Sequence, residues 1–326
     1  MNPFQYVRAT SAKTAIAAQA NPAAKFIAGG TNLIDLMKRG VVAPQKLVDI
    51  NNLPFSDIKK QPNNLFIGAL ASNSGVADHP LVLQNQPLLA MALNAGASAQ
   101  LRNAATVGGN MMQRTRCYYF YNTDLPCNKR QPGSGCGALE GINRMHAIFG
   151  ASPQCIAVNP SDMNVALAAL DASVLVSGPK GDRKILFTDF HRLPGDHPEK
   201  DNNLAKDELI MGVEIPDNHF SKNSYYLKVR DRASYAFALV SVAAALHIEN
   251  NTIKEARLAM GGVAHKPWRL MSAEKALIGQ PASAATFKHA AEIAMQGAKA
   301  FKYNSFKLKM APNTIFQALK TASGIA

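Results

Sequence analysis

Lys25-Phe26-Ile27-Ala28-Gly29-Gly30-Thr31-Asn32-Leu33-Ile34 is the stretch that decides the fold. A short apolar strand runs into a diglycine, and Thr31 or Asn32 stands where a helix cap belongs. The helix continues to Lys38, with Leu33, Leu36 and Met37 on one face and Gly40 just past its end. Lys46-Leu47-Val48-Asp49-Ile50 then reads as a second strand, so the opening is a βαβ-like unit closing near Leu53-Pro54. A diglycine between strand and helix lets backbone N–H groups approach phosphate oxygens with no Cβ in the way, and the helix N-terminus favours negative charge. Taken alone, the same residues are better read as a tight structural turn. The G-x-G-x-x-G fingerprint of a Rossmann dinucleotide site is absent.

A second such segment follows at Thr106-Val107-Gly108-Gly109-Asn110. Between the two, residues 65–69 read as a strand, Ser72-Asn73-Ser74 as a helix cap, and residues 87–97 as a helix. Further on, residues 163–170 read as a helix that Asp162 can cap. Strands at 173–177 and 214–215 come next, separated by a polar loop at 191–207. The last third changes character. Strands are expected at 224–229, 237–248 and 253–260, with a hairpin turn at Asn250-Asn251, although the alanine-rich middle stretch also suits a helix. Helices at 272–278, 284–301 and 304–319 complete the chain, and a domain boundary falls near 216–222.

All four cysteines, Cys117, Cys127, Cys136 and Cys155, fall in one window that opens just after the second glycine segment. Such grouping points to a shared role. Their spacing, Cys-x9-Cys-x8-Cys-x18-Cys, lacks the C-x2-C pairs usual for structural zinc and the tight spacing of bacterial ferredoxins. Four thiolates beside a nucleotide-type turn suggest a metal-based redox centre, with zinc and disulfides as the other readings. Arg114, Arg116, Lys129, Arg130 and Arg144 are cations available to balance an anionic cluster.

Bulk properties narrow the class. The 326 residues, 47% hydrophobic and 17% charged, suffice for two or three compact units. No stretch approaches the apolar length of a membrane helix. The start, Met1-Asn2-Pro3-Phe4-Gln5-Tyr6, lacks a basic n-region and an apolar h-region, so export is expected only if another protein carries the chain. Net charge +13 and pI ≈ 9.6 come from scattered Lys and Arg with no nucleic-acid-binding motif. An acidic partner subunit or electron carrier accounts for the balance.

Read together, these blocks resemble the FAD-binding subunit of the molybdenum hydroxylases, the family of xanthine dehydrogenase and the carbon monoxide dehydrogenase medium subunit. The resemblance spans nearly the whole chain. It rests on A-G-G-T-x-L-x-x-x-M-K at 28–38, T-x-G-G-N at 106–110, Ser161-Asp162, and Gly261-Gly262-Val263-Ala264-His265-Lys266-Pro267-Trp268-Arg269. The departure is the connection from Asn110 to Asp162, much longer here than in most relatives. A smaller group carries a cysteine-bearing insertion there that holds a [4Fe-4S] cluster, and this chain resembles the bacterial periplasmic aldehyde oxidoreductases in that group.

The resemblance implies an α+β fold. A two-subdomain FAD-binding domain of the vanillyl-alcohol-oxidase type is expected at 1–220, with subdomains at 1–54 and 55–220 and an insertion at 111–158. A carbon monoxide dehydrogenase flavoprotein C-terminal-like domain, antiparallel sheet plus helices, is expected at 221–326. FAD contacts are implied at Phe26, Ile27, Ala28, Gly29, Gly30, Thr31, Asn32, Leu33 and Ile34, and at Thr106, Gly108, Gly109 and Asn110. Tyr118, Asp162, Ile210, Met211 and Lys228 are further candidates, each with a plain structural alternative: aromatic packing, capping, core burial or surface charge. The four cysteines are implied as cluster ligands.

No catalytic residue is expected in this chain. The implied role is electron transfer in a heterotrimer with a large molybdenum-cofactor subunit and a small [2Fe-2S] subunit, ending at an external acceptor such as a small redox protein. The implied compartment is the periplasm, by co-export with a signal-bearing partner, with the cytoplasm as alternative. Two other functions compete: a stand-alone vanillyl-alcohol-type FAD oxidase, and a non-enzymatic scaffold stapled by metal.

Overall fold

A computed structural model describes residues 1–21 and 23–325, and three sheets follow one another along the chain. The first has strands β1 (Gln5–Arg8), β2 (Ala24–Ile27) and β3 (Lys46–Asp49) in the order β1-β3-β2. All pairings are parallel, with Tyr6 and Phe26 facing Leu47 and Val48 respectively. Parallel neighbours need crossover connections, and the helices Ala12–Gln19 and Leu33–Lys38 supply them. The helix after the diglycine ends as its sequence predicts, with Gly40 at φ 71°.

The second sheet comprises β4 (Ile58–Gln61), β5 (Asn64–Gly68), β6 (Ser173–Gly178), β7 (Gly181–Leu186) and β8 (Leu209–Pro216). Its order is β4-β5-β8-β6-β7 and every pairing is antiparallel. Between β5 and β6 the chain makes a long excursion that holds the second glycine segment, the cysteines and the helix Asp162–Ala169. Every residue of that helix is buried, so its sequence shows no amphipathic period.

The third sheet contains β9 (Ser224–Val229), β10 (Val240–Glu249), β11 (Thr252–Gly261) and β12 (Trp268–Arg269), antiparallel in the order β12-β11-β10-β9. The alanine-rich β10 is a strand, not a helix. Val240, Val242, Ala244 and Leu246 pack against the C-terminal helices, while Ala243 and Ala245 join the core built on the second sheet. A strand buried on both faces has no polar side to alternate with, and alanine allows the close approach. Asn250 and Asn251 both take positive φ at the hairpin, as the sequence suggests.

The helix expected at 284–301 is shorter. It ends at Ala294, and Gly297 follows at φ 81°. The final helix runs Lys307–Ser323. The cysteine insertion folds back onto its surroundings: Phe120 and Cys127 pack with Leu36 and Val41 of the first unit, and Ile148 and Phe149 join the C-terminal core.

Candidate cofactor site

The two glycine segments meet, although they differ in construction. Gly30 adopts φ 71°, open only to glycine without strain. Gly29 is required for packing: a Cβ there would stand 1.8 Å from the Ala104 carbonyl oxygen. The expected second turn is instead the first turn of a short helix, Val107–Met111, capped by Thr106 Oγ1 accepting from Gly109 N at 3.2 Å. Gly108 packs on Ala69, whereas a Cβ on Gly109 would meet only its own cap, Thr106 Oγ1, at 3.0 Å. Asn32 Nδ2 donates to the Gly109 carbonyl at 3.4 Å, and Arg116 donates to Asn32 Oδ1, so the segments are tied together.

Beside this junction lies a cavity of ≈ 700 Å³. Thr31 and Asn32 line it from the first unit, Arg102, Asn110 and Asp162 from the second, and Lys228, Tyr235 and Phe237 from the third. Neither the diglycine, Gly29 and Gly30, nor its flanking residues Phe26, Ile27, Ala28, Leu33 and Ile34 line it, and of the second glycine segment Asn110 does while Thr106, Gly108 and Gly109 do not. The polar wall is well anchored. Ser161 Oγ donates to Asn110 Oδ1 at 2.7 Å, Gln113 Nε2 donates to the same oxygen, and Arg102 donates to Gly96 O at 2.7 Å. Buried His191, which burial pushes down to about 4 and so holds neutral, donates from Nε2 to Met111 O at 2.9 Å. That bond fixes the end of the glycine helix.

Asp162 does not cap the helix. Ser161 does, accepting from Asn164 N at 3.1 Å. Asp162 instead receives Lys228 Nζ at 2.7 Å and the Tyr226 hydroxyl at 2.8 Å, and Lys228 also donates to Ala95 O at 3.0 Å. Burial raises Asp162 above its ordinary value, opposed by Lys228 and Tyr226, and burial holds Tyr226 well above the usual phenol range. Lys228 is therefore no surface lysine; its side chain is 4% exposed. Ile210 lies in the core of the second sheet, and Met211 gives its carbonyl to Ala69 N at 3.0 Å. Neither lines the cavity.

A second cavity of ≈ 590 Å³ shares Arg116, Met145, Pro160, Asp162 and Phe237 with the first. Tyr118, 64% exposed, lines it with Cys117 and His146. Beyond it, Cys117, Cys127, Cys136 and Cys155 all border one small void. All four are free thiols. They surround that void without converging on a point: among the described residues no three His, Cys, Asp or Glu side chains could share a single ion. Burial pushes the Cys117 thiol up to about 12 and that of Cys155 up to about 11. Ligation would have to displace those protons.

Of the five expected cations, only Lys129 lines the void. Arg114 and Lys129 both bind Asp201, Arg116 serves Asn32, and Arg144 pairs with Asp231 at the surface. Arg130 stitches the loop through the carbonyls of Tyr119, Phe120 and Asn122 at 2.9–3.0 Å. Sequence reasoning missed Asp201 and His146. The one usable signal was that His146 is the only histidine inside the cysteine window.

Residues 2–218 match the family described as the FAD binding domain in molybdopterin dehydrogenase, and residues 225–322 match the CO dehydrogenase flavoprotein C-terminal domain. The chain belongs to the FAD-binding subunits of the molybdenum hydroxylase family. It is similar to the aldehyde oxidoreductase FAD-binding subunit PaoB of Escherichia coli, with 47% identity over 99% of both chains. It is also similar to the glyceraldehyde dehydrogenase medium chain of Sulfolobus acidocaldarius, at 31% identity over 85% of this chain and 82% of that one. The carbon monoxide dehydrogenase structure from Hydrogenophaga pseudoflava shares the fold, with TM-score 0.78, 23% identity and coverage of 99% and 98%.

Members of this family are FAD-containing oxidoreductase subunits, and so is this chain. The last third is the family's own C-terminal domain, where a stand-alone vanillyl-alcohol-type oxidase would need a substrate cap. No helix among the described residues is long and apolar enough to cross a membrane.

Proposed function

We propose that this chain is the electron-transfer subunit of a three-chain, molybdenum-dependent aldehyde oxidoreductase, and that it holds a [4Fe-4S] cluster as well as FAD. The observation that carries the reading is the meeting of all four cysteine thiols of the insertion around one void, beside the cavity that adjoins the flavin segments. The donor set fits: four thiols, no competing carboxylate on the void, and one buried lysine in its wall. Similarity to an aldehyde oxidoreductase subunit over the full length supports the substrate class.

FAD, when bound, accepts and releases electrons singly or in pairs. The protein supplies binding, orientation and electrostatics. Gly30, Gly109 and Asn110 would hold its diphosphate side. Thr31, Arg102, Asp162, Lys228 and Phe237 would hold the remainder. Lys228 brings positive charge to that wall, Asp162 and the Ala95 carbonyl fix its position, and Tyr226 in turn holds Asp162. In this reading the subunit takes electrons from a [2Fe-2S] partner and passes them to an external acceptor. Substrate oxidation belongs to the large molybdenum subunit. Purification with the products of flanking genes tests this: molybdenum and both partners should accompany the chain. Aldehyde oxidation by the isolated chain would contradict it.

We also infer delivery to the periplasm in the folded state with a signal-bearing partner, since the cofactors require insertion before export. Deleting that partner's signal should leave this chain in the cytoplasm, and continued delivery would exclude the idea.

A further inference from the structure

Among the described residues, Cys117 is the only cysteine of the four with a side-chain hydrogen-bond partner: His146 Nε2 lies 3.1 Å from its Sγ. The imidazole is 6% exposed, and its other nitrogen, Nδ1, has no partner. The backbone of His146 is held in place on both sides of its Cα. His146 N donates to Asn143 O at 3.1 Å, and its carbonyl accepts from Asn304 Nδ2 at 3.1 Å and Lys307 Nζ at 2.9 Å. Asn143, Asn304 and Lys307 are all fully buried. Three residues without solvent contact therefore fix the main chain from which the imidazole reaches Cys117.

A neutral imidazole carries one N–H and one bare nitrogen. Beside a free thiol, either partner can donate. Beside a metal-bound thiolate the sulfur has no proton left, so the contact requires Nε2–H as donor. Nδ1 is then the bare nitrogen, which agrees with its lack of a partner. The opposite tautomer would bury an unpaired N–H and set two acceptors against each other.

We propose that His146 is a positioning residue of the cysteine site, whose Nε2–H donates to the Cys117 sulfur and raises the reduction potential of the cluster held there. This rests on the cluster reading given above. Hydrogen bonds to cluster sulfurs are one of the protein's means of setting potential, because they stabilise the more negative, reduced state.

The test is an EPR-monitored redox titration of the intact heterotrimer, wild type against His146→Leu and His146→Gln. With iron and FAD contents unchanged, His146→Leu should titrate at a more negative potential. His146→Gln, whose amide can donate from a similar place, should return towards wild type. An unchanged potential in an iron-replete His146→Leu overturns the proposal, as does a Gln variant that behaves like Leu. If His146→Leu loses iron, His146→Gln decides: iron retained at a near-wild-type potential supports the proposal, and iron loss there overturns it. Failure of the cluster reading looks different, since the wild-type complex would then hold no iron beyond that of its [2Fe-2S] partner.

Discussion

Lys228 Nζ and Asp162 Oδ2 stand 2.7 Å apart, joined across 66 residues of sequence, with side chains only 4% and 8% exposed. The pair links the third sheet to the helix that follows the cysteine insertion, and both residues line the larger cavity. Removing one partner of a buried pair leaves the other charge uncompensated, at roughly 3–5 kcal/mol. Lys228→Met should therefore lower stability by about that amount and reduce FAD content. Adding Asp162→Asn should recover part of the stability. Denaturant unfolding of the two variants checks this, and a single variant as stable as wild type would refute it.

The two glycine segments should respond differently to a methyl group. Gly29→Ala places a Cβ against the Ala104 carbonyl, so the helix Ala99–Ala104 must move. Misfolding or a clear fall in melting temperature is expected. Gly109→Ala meets only the Thr106 hydroxyl, so the protein should fold, but with FAD binding weakened where the diphosphate side approaches. Melting curves beside flavin-to-protein absorbance ratios separate the effects. Full flavin occupancy in Gly109→Ala and Gly109→Val would remove that residue from the site.

Asp201 anchors the polar loop to the insertion through Arg114 and Lys129. Burial pushes its carboxyl up, but Lys129, Arg114 and His265 together hold it well below the usual carboxylate range. A depressed folded pKa means a stabilising contribution fully present above the unfolded value of about 3.9. It fades as pH falls below that value. The stability gap between wild type and Asp201→Asn should thus be constant near neutrality and narrow below about pH 4. Urea midpoints across that range measure it; a gap that widens in acid would contradict the assignment.

What the sequence disclosed was local. The strand–diglycine–helix opening, the hairpin at Asn250-Asn251 and the common fate of the cysteines each follow from neighbouring residues. β1 went unread because all four of its residues are exposed, so no hydrophobic alternation marks it. β7 has one buried residue in six for the same effect. The site's electrostatics were less legible still. Asp162 with Lys228, Lys129 with Asp201 and Cys117 with His146 join residues 66, 72 and 29 positions apart. Periodicity reports which face of an element is buried, not which distant charge it meets.

The most direct test of the account is metal and sulfide analysis of the intact complex, wild type against the double variant Cys127→Ser, Cys155→Ser. A cubane needs all its thiolates, so the variant should lose about four irons and as many sulfides per complex. The [2Fe-2S] signal of the small partner should persist. Equal iron in the two complexes, stoichiometric zinc in the wild type, or cysteines paired as disulfides would contradict it.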